Sequence, residues 1–196
     1  MRYRKEHKAE TRKRVVDAAA RRLRKDGIAA TGVVDLMADA GLTHGGFYAH
    51  FSSKDSLVRE ALLSSCAQDR NYLQRKIEDA RAHKRDPLEH IVRQYLTTAH
   101  RDRPDRGCGV AALGTEIARH PRKTREAFTE ALEQLFDVIA AALPNPSRPD
   151  ARTIACGVFS TMIGALQLSR LIADPKLSQA ALDAGIQAAL TVGRSA

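Results

Sequence analysis

The sequence predicts an all-α protein, with a three-helix head carrying a helix-turn-helix on a larger helical body. Three observations predict this. Ala and Leu are abundant, whereas aromatic residues make up only 5% of the 196 and Trp is absent. No segment alternates apolar and polar residues with the period of two that marks a half-buried strand. Apolar residues instead recur three and four apart, in runs separated by Gly, Pro and charged breaks that delimit about nine helices. The head is assigned to residues 1–52 and the body to residues 53–196.

The first helix should run from Glu10 to Asp26, with Val15, Ala19 and Leu23 on one face, Val16 and Ala20 beside them, and Asp26-Gly27 as its end. Next comes a short helix, Val33 to Ala40, whose apolar positions Val33, Leu36, Met37 and Ala40 share one stripe. Gly41 can take the left-handed conformation that stops a helix. Thr43 can cap the following helix through its hydroxyl. That helix ends in Phe47-Tyr48-Ala49-His50-Phe51, with Phe47 and Phe51 assigned to the head's core. Two short helices joined by a Gly-Leu-Thr turn match the helix-turn-helix, whose second helix enters the DNA major groove.

Charge placement agrees with that reading. The net charge is +9, and residues 1–25 carry eleven Lys or Arg against three acids. The eleven are Arg2, Arg4, Lys5, Lys8, Arg12, Lys13, Arg14, Arg21, Arg22, Arg24 and Lys25. A positive field just before a helix-turn-helix suits phosphate, and binding through it should weaken steeply with salt.

The body helices follow from their stops. Ser52 or Ser53 can cap a long helix reaching about Ala82, with Leu57, Ala61, Leu62, Cys66, Leu73 and Ile77 at helical spacing. Pro87 suits the first turn of the next, which carries Leu88, Ile91, Val92, Tyr95 and Leu96. A charged loop, Arg101 to Gly107, precedes a helix from Cys108 to Arg119, and Pro121 opens another whose stripe runs from Phe128 to Leu143. Three prolines between Pro144 and Pro149 force a loop. Helices from Asp150 to Ala173 and Leu177 to Val192, divided by Asp174-Pro175, complete the chain.

The last two helices carry small-residue stripes, Gly157, Ser160 and Gly164 in one and Ala181, Ala184 and Ala188 in the other, which allow close helix approach. The penultimate helix is apolar nearly all round, so its surplus face is expected to be buried by a second copy of the chain. Its charge-free run, Thr153 to Ser169, is 17 residues, short of a membrane span. The amino terminus has no apolar signal region, and the three cysteines, Cys66, Cys108 and Cys156, show no disulfide or metal spacing. A cytoplasmic protein without membrane, metal or cofactor is expected.

With these residues in view, the chain resembles the TetR family of bacterial transcriptional regulators. The run from Thr31 to Leu57 carries the resemblance; beyond it only helix count and order agree. The resemblance implies a TetR-like homodimer, amino-terminal heads that bind double-stranded operator DNA, and a body that dimerises through the last two helices and binds a small-molecule effector. It places Thr43, His44, Gly45 and Gly46 where base edges are read, Tyr48 at an aromatic DNA contact, and His50 and Lys54 at backbone-anchoring positions. Gly32 stands where many members have a capping Ser or Thr, which leaves that task and a phosphate contact to Thr31. Gly45-Gly46 sacrifices about 1 kcal/mol of helix propensity per residue, in keeping with close approach of backbone to DNA.

For the effector, Tyr95, Leu113, Glu116, Phe136, Phe159, Met162 and Gln167 lie on middle helices of mixed character and are the expected pocket. Cys108, between Gly107 and Gly109 and near Arg103 and Arg106, is a candidate redox or electrophile sensor with a lowered pKa. Together these readings describe a ligand-responsive repressor that binds a palindromic operator. The alternatives are a sequence-independent nucleic-acid-binding protein and a repressor that senses through Cys108. Catalysis is not expected, because the seven histidines are scattered and no hydrolase, P-loop or metalloprotease motif is present.

Overall fold

The computed structural model describes residues 2–195, with side chains from Glu6 onward. The side chains of Arg2, Arg4 and Lys5 from the basic cluster lie outside the described residues. Among those described there are nine α-helices, two 3-10 helices and no strand.

The head begins with α1, Arg2–Asp26, which starts earlier than the apolar stripe required because polar and basic residues extend it. Gly27 ends it at φ +86, with its N–H donating to the Leu23 carbonyl at 2.8 Å. The second helix, α2 (Val33–Asp39), stops at Gly41, which sits at φ +71. The segment His44–Ala49 is wound as a 3-10 helix. Thr43 precedes it in an extended conformation, but its hydroxyl makes no capping bond. Adjacent glycines weaken α-helical propensity here, and a six-residue segment closes readily with the tighter 3-10 pattern.

The body is built on α3 (Lys54–Ala82), whose cap Ser53 accepts from the Ser56 N–H at 3.1 Å. Asp86 caps α4 (Pro87–Tyr95) by accepting from Leu88 and Glu89. The segment expected as a charged loop holds a short helix, α5 (Thr98–Asp102), and a 3-10 turn, Pro104–Arg106. Five residues are too few to show periodicity. Thr97 caps them, and Arg170 donates to the carbonyls of His100 and Arg101. Then follow α6 (Gly109–Ile117), α7 (Arg122–Ala140), α8 (Ala151–Leu171) and α9 (Pro175–Arg194).

Two apolar cores result. The head's core takes Val15, Leu23, Leu36, Met37, Phe47 and Phe51, and extends past residue 52 to Leu57, Val58, Leu113, Ile117 and Phe128. The body's core is built from α3, α4 and α6 to α9. Val110 and Leu132 pack against both. Helix α6 is therefore shared property, touching the head on one side and the body on the other.

Among the described residues, helices α8 and α9 share the most extensive contact of any pair. A Cβ on Gly185 would fall 2.2 Å from the Ala165 Cβ, and one on Gly157 would meet Val192 at 3.1 Å. The small-residue stripes divide between two faces. Gly157 packs within the chain, whereas Ser160, Gly164, Ala184 and Ala188 are exposed beside Leu168, Leu171 and Leu177. Counted from end to end α8 has 21 residues, so by length and composition it could cross a membrane, although its charge-free run alone falls short. In the fold it packs along α7 and α9.

Gly185→Ala should cost about 1–3 kcal/mol, because α8 and α9 must part or Ala165 must shift. Denaturant unfolding of the variant against the parent checks this; unchanged stability would show the pair to be loosely packed.

Candidate functional site

The 3-10 segment of the head presents a bare surface. Thr43, His44 and Gly45 are exposed, Gly46 is half-buried, and Tyr48 is 72% exposed. The Tyr48 ring stands edge-on to Phe47, centroids 5.2 Å apart. Phe47 and Phe51 are buried beneath. So the segment alternates buried and exposed rings: phenylalanines hold it down while Tyr48 projects. Arg12 of α1 fixes its far end. Its guanidinium lies 4.3 Å above the Phe51 ring, pairs with Glu60 and donates to the His50 carbonyl. His50 itself is half-buried, and burial together with Lys8 and Arg12 pulls its pKa down. It is thus a neutral hydrogen-bonding group at neutral pH. The Lys54 ammonium donates to the Ile28 carbonyl at 2.9 Å, which uses one of its three N–H donors.

Thr31 is placed differently from expectation. It is buried, and its hydroxyl donates to the Gly27 carbonyl at 2.6 Å. That bond closes the α1–α2 turn and spends the hydroxyl's one donor, leaving none for phosphate, and the N-cap of α2 is Gly32. The α2 start is instead tied by the Asp35 carboxylate, which accepts from the Gly32 N–H at 3.2 Å.

Head and body are joined by polar bonds. Arg24, near the end of α1, is buried and donates to the Ser65 hydroxyl at 2.6 Å and to the Asp105 carbonyl at 3.0 Å. The Glu116 carboxylate of α6 accepts from the N–H groups of Ile28 and Ala29 at 2.9 and 3.0 Å. A body helix thereby grips the loop that leads into α2.

Beneath Arg24 opens a cavity of about 680 Å³ between α1, α3, α4, the 97–108 segment, α7 and α8. Such a volume is in the range that accepts drug-sized molecules. Its apolar wall is Leu73, Tyr95, Leu135 and Phe159, with the Tyr95 and Phe159 rings 6.1 Å apart in edge-to-face contact. Its polar wall includes Asp69, which accepts from the Gly109 N–H at 3.3 Å. Burial pushes the Asp69 carboxyl up to about 6, against the opposing pull of that hydrogen bond and of Arg24. His100 is fixed by two bonds, to the Tyr95 carbonyl through Nδ1 (2.8 Å) and from the Cys108 N–H to Nε2 (2.9 Å). The second makes Nε2 the acceptor, so Nδ1 carries the proton, and burial keeps the ring neutral.

Residues 15–61 match the family model for bacterial regulatory proteins of the tetR family. The chain is 40% identical over 74 residues to the HTH-type transcriptional regulator TtgR of Pseudomonas putida, covering 38% of this chain and 35% of that one. It is 37% identical over 57 residues to the uncharacterized HTH-type transcriptional regulator YerO of Bacillus subtilis, covering 29% and 18%. The matched stretch therefore spans about a third or less of these curated relatives. Among solved structures, reduced NemR of E. coli superposes with TM-score 0.75 over 91% of this chain and 95% of that one, at 17% identity. A TetR regulator from Chloroflexus aurantiacus superposes with TM-score 0.72 over 95% and 96%, at 23% identity. At such identities the superpositions speak for the fold.

The likeness to the TetR family lies in sequence over residues 15–61 and in fold over nearly the whole chain.

Within this body, the expected pocket residues separate. Tyr95 and Phe159 line the cavity, and Phe136 stacks edge-to-face on Phe159 from behind. Leu113 is instead in the head's core, Met162 is fully buried in the body's, and Glu116 holds the head loop. Gln167 donates to the Ala111 carbonyl, bracing α6 against α8. Leu113 and Met162 pack as plain apolar core, and Glu116 and Gln167 satisfy their polar ends on backbone.

Cys108 also lines the cavity, but it is buried, and its thiol is pushed up to about 12 by that burial and by Asp69. The expectation of a lowered pKa is corrected: no cation or free helix dipole outweighs desolvation, so the sulfur is a protonated thiol. Among the described residues no group of three His, Cys, Asp or Glu is arranged to hold a metal.

Sequence reading missed Arg24, Asp69 and His100 as cavity residues. For Arg24 a signal exists: position 24 continues the stripe Val16–Ala20, where an apolar residue is expected. Asp69 and His100 gave none.

Because ionising Asp69 is disfavoured in the fold, its cost to stability is absent below its ordinary value of 3.8, grows between there and about 6, and is constant above. Asp69→Asn keeps an acceptor for Gly109. Melting of the two proteins from pH 4.5 to 8 should show the variant gaining on the parent as pH rises, on the order of 1–3 kcal/mol by neutral pH. A constant difference would mean the carboxylate is well solvated.

Proposed function

We propose that this chain is a ligand-responsive transcriptional repressor that binds a palindromic operator as a homodimer and leaves it when a small molecule enters the body cavity. The observation that carries the reading is the arrangement of one helix: α1 supports the exposed Thr43–Tyr48 surface at the head and supplies Arg24 to the cavity. A site for DNA and a site for an effector are thereby one rigid element apart.

In this reading Thr43, His44 and Tyr48 read base edges or contact phosphate, Gly45 and Gly46 let the backbone approach, and His50 and Lys54 anchor the flanks. Few reading side chains leave part of the specificity to DNA shape. The exposed faces of α8 and α9, with Gly164, Leu168, Leu171 and Ala184, form the dimer contact, and the heads meet successive major grooves about 34–36 Å apart. A ligand seated under Arg24 shifts the start of α6 and the end of α1, and Glu116 passes that shift to the loop at residues 28–29. Head spacing then changes, and the population moves away from DNA.

A sequence-independent packaging role leaves the cavity and its link to α1 unexplained. Selection of bound genomic fragments by the purified protein separates the readings. A shared palindrome supports the repressor, and equal competition by random duplex at moderate salt overturns it.

Tyr48→Ala should abolish binding to the selected fragment with an unchanged melting curve, since the side chain is exposed. Leu168→Glu with Leu171→Glu should give a folded monomer by light scattering, with operator affinity reduced at least a hundredfold. A dimer that persists would move the contact to another face.

A further inference from the structure

The cavity's lining is strongly one-sided in charge. Four arginines, Arg24, Arg75, Arg103 and Arg106, line it against a single carboxylate, Asp69. The imidazole of His100 is held neutral, as described above. Asp105, outside the lining, partners Arg103 at 3.2 Å and approaches Arg106 at 3.7 Å, so one acid is shared between two guanidiniums. Arg75 is exposed and makes no ion pair among the described residues. The surplus positive charge therefore sits at the mouth, on Arg75, Arg103 and Arg106, all three exposed. Deeper, the wall becomes aromatic and aliphatic.

A second observation is independent of charge. The Tyr95 hydroxyl is buried on the cavity wall with no oxygen or nitrogen partner, and the Cys108 sulfur beside it is a weak one. A buried hydroxyl left with so weak a partner is costly, and a ligand oxygen is what would satisfy it.

We infer that the cavity takes an organic anion: an acid group held at the mouth by Arg75, Arg103 and Arg106, an apolar or aromatic body against Leu135 and Phe159, and an oxygen that accepts from Tyr95. This deepens the effector reading above and rests on it. Guanidinium forks match a carboxylate or sulfonate in two parallel hydrogen bonds, whereas an amine meets only repulsion there. Attachment at the mouth also accounts for ligand choice by charge, with the apolar wall contributing area and little discrimination.

The test uses the full-length protein and anilinonaphthalene sulfonate, an anionic aromatic whose fluorescence reports a dry site. It is competed with phenylbutyrate, phenylbutanamide and phenylbutylamine, which share one skeleton and differ in charge. The expected result is saturable binding, displacement by the acid at least tenfold more effective than by amide or amine, and at least tenfold weaker dye binding in the double variant Arg75→Gln, Arg103→Gln with its melting curve unchanged. Tyr95→Phe should weaken the dye less than the arginine changes do. Absent dye binding, binding indifferent to the arginines, or an amine that competes as well as the acid would overturn the inference.

Release of the selected DNA fragment is followed in parallel. Arginine-dependent acid binding without DNA release would sink the effector reading and leave the ligand class standing. DNA release by amine or amide as readily as by acid would do the reverse.

Discussion

A buried guanidinium at the seam of two cores is the constraint on which this molecule turns. Arg24 cannot shed its charge, so its burial is tolerable only while Ser65 and Asp105 accept its N–H groups and Asp69 lies in its field. Those three partners come from α3 and from the turn before α6. The head therefore cannot tilt on the body without breaking a bond to a charged group, among the costlier hydrogen bonds to lose. Glycine makes the arrangement possible: a Cβ on Gly109 would lie 2.8 Å from the Ser65 hydroxyl that Arg24 holds.

Around that seam the apolar terms are ordinary and the polar terms are specific. Each core buries aliphatic side chains in the usual way, and Val110 and Leu132 join them without dictating an angle. Angle and register come from directional bonds: Glu116 on the backbone of residues 28–29, Gln167 on Ala111, Lys54 on Ile28. A fold whose domains are set by a few directional contacts over a permissive apolar interface can hold two discrete arrangements. Such bistability is what a switch requires.

The cavity lies on that seam, and its chemistry is consistent with its place. Asp69, His100 and Cys108 are all kept uncharged or reluctant to charge by burial, while the arginines at the rim keep theirs. Dry interior and charged mouth produce a gradient of polarity along the same axis that runs from solvent toward α1. A molecule that follows the gradient ends beside Arg24, where any new acceptor competes with Ser65 and Asp105.

Much of the fold was legible in the chain because it depends on local rules. Periodic stripes, Gly27 and Gly41 as stops, Ser53 as a cap, and prolines at helix starts each act within a few residues, and so each could be read. Phe47 and Phe51, four apart and both buried, were legible as core for the same reason, whereas the exposure of Tyr48 was expected only from the family resemblance. Tertiary structure decided what depends on contacts distant in sequence. Thr31 turned inward to Gly27 because the α1–α2 turn needed an acceptor filled, and Glu116 left the expected pocket because backbone N–H groups 88 positions away offered it better partners. Cys108 lost its expected reactivity because desolvation, which no spacing encodes, outweighed the nearby arginines. Sequence determined most of the helices and the buried phenylalanines of the third segment; only the packing of α1, α3 and α6 decided where a ligand could lie, since a cavity is the space that separate elements fail to fill.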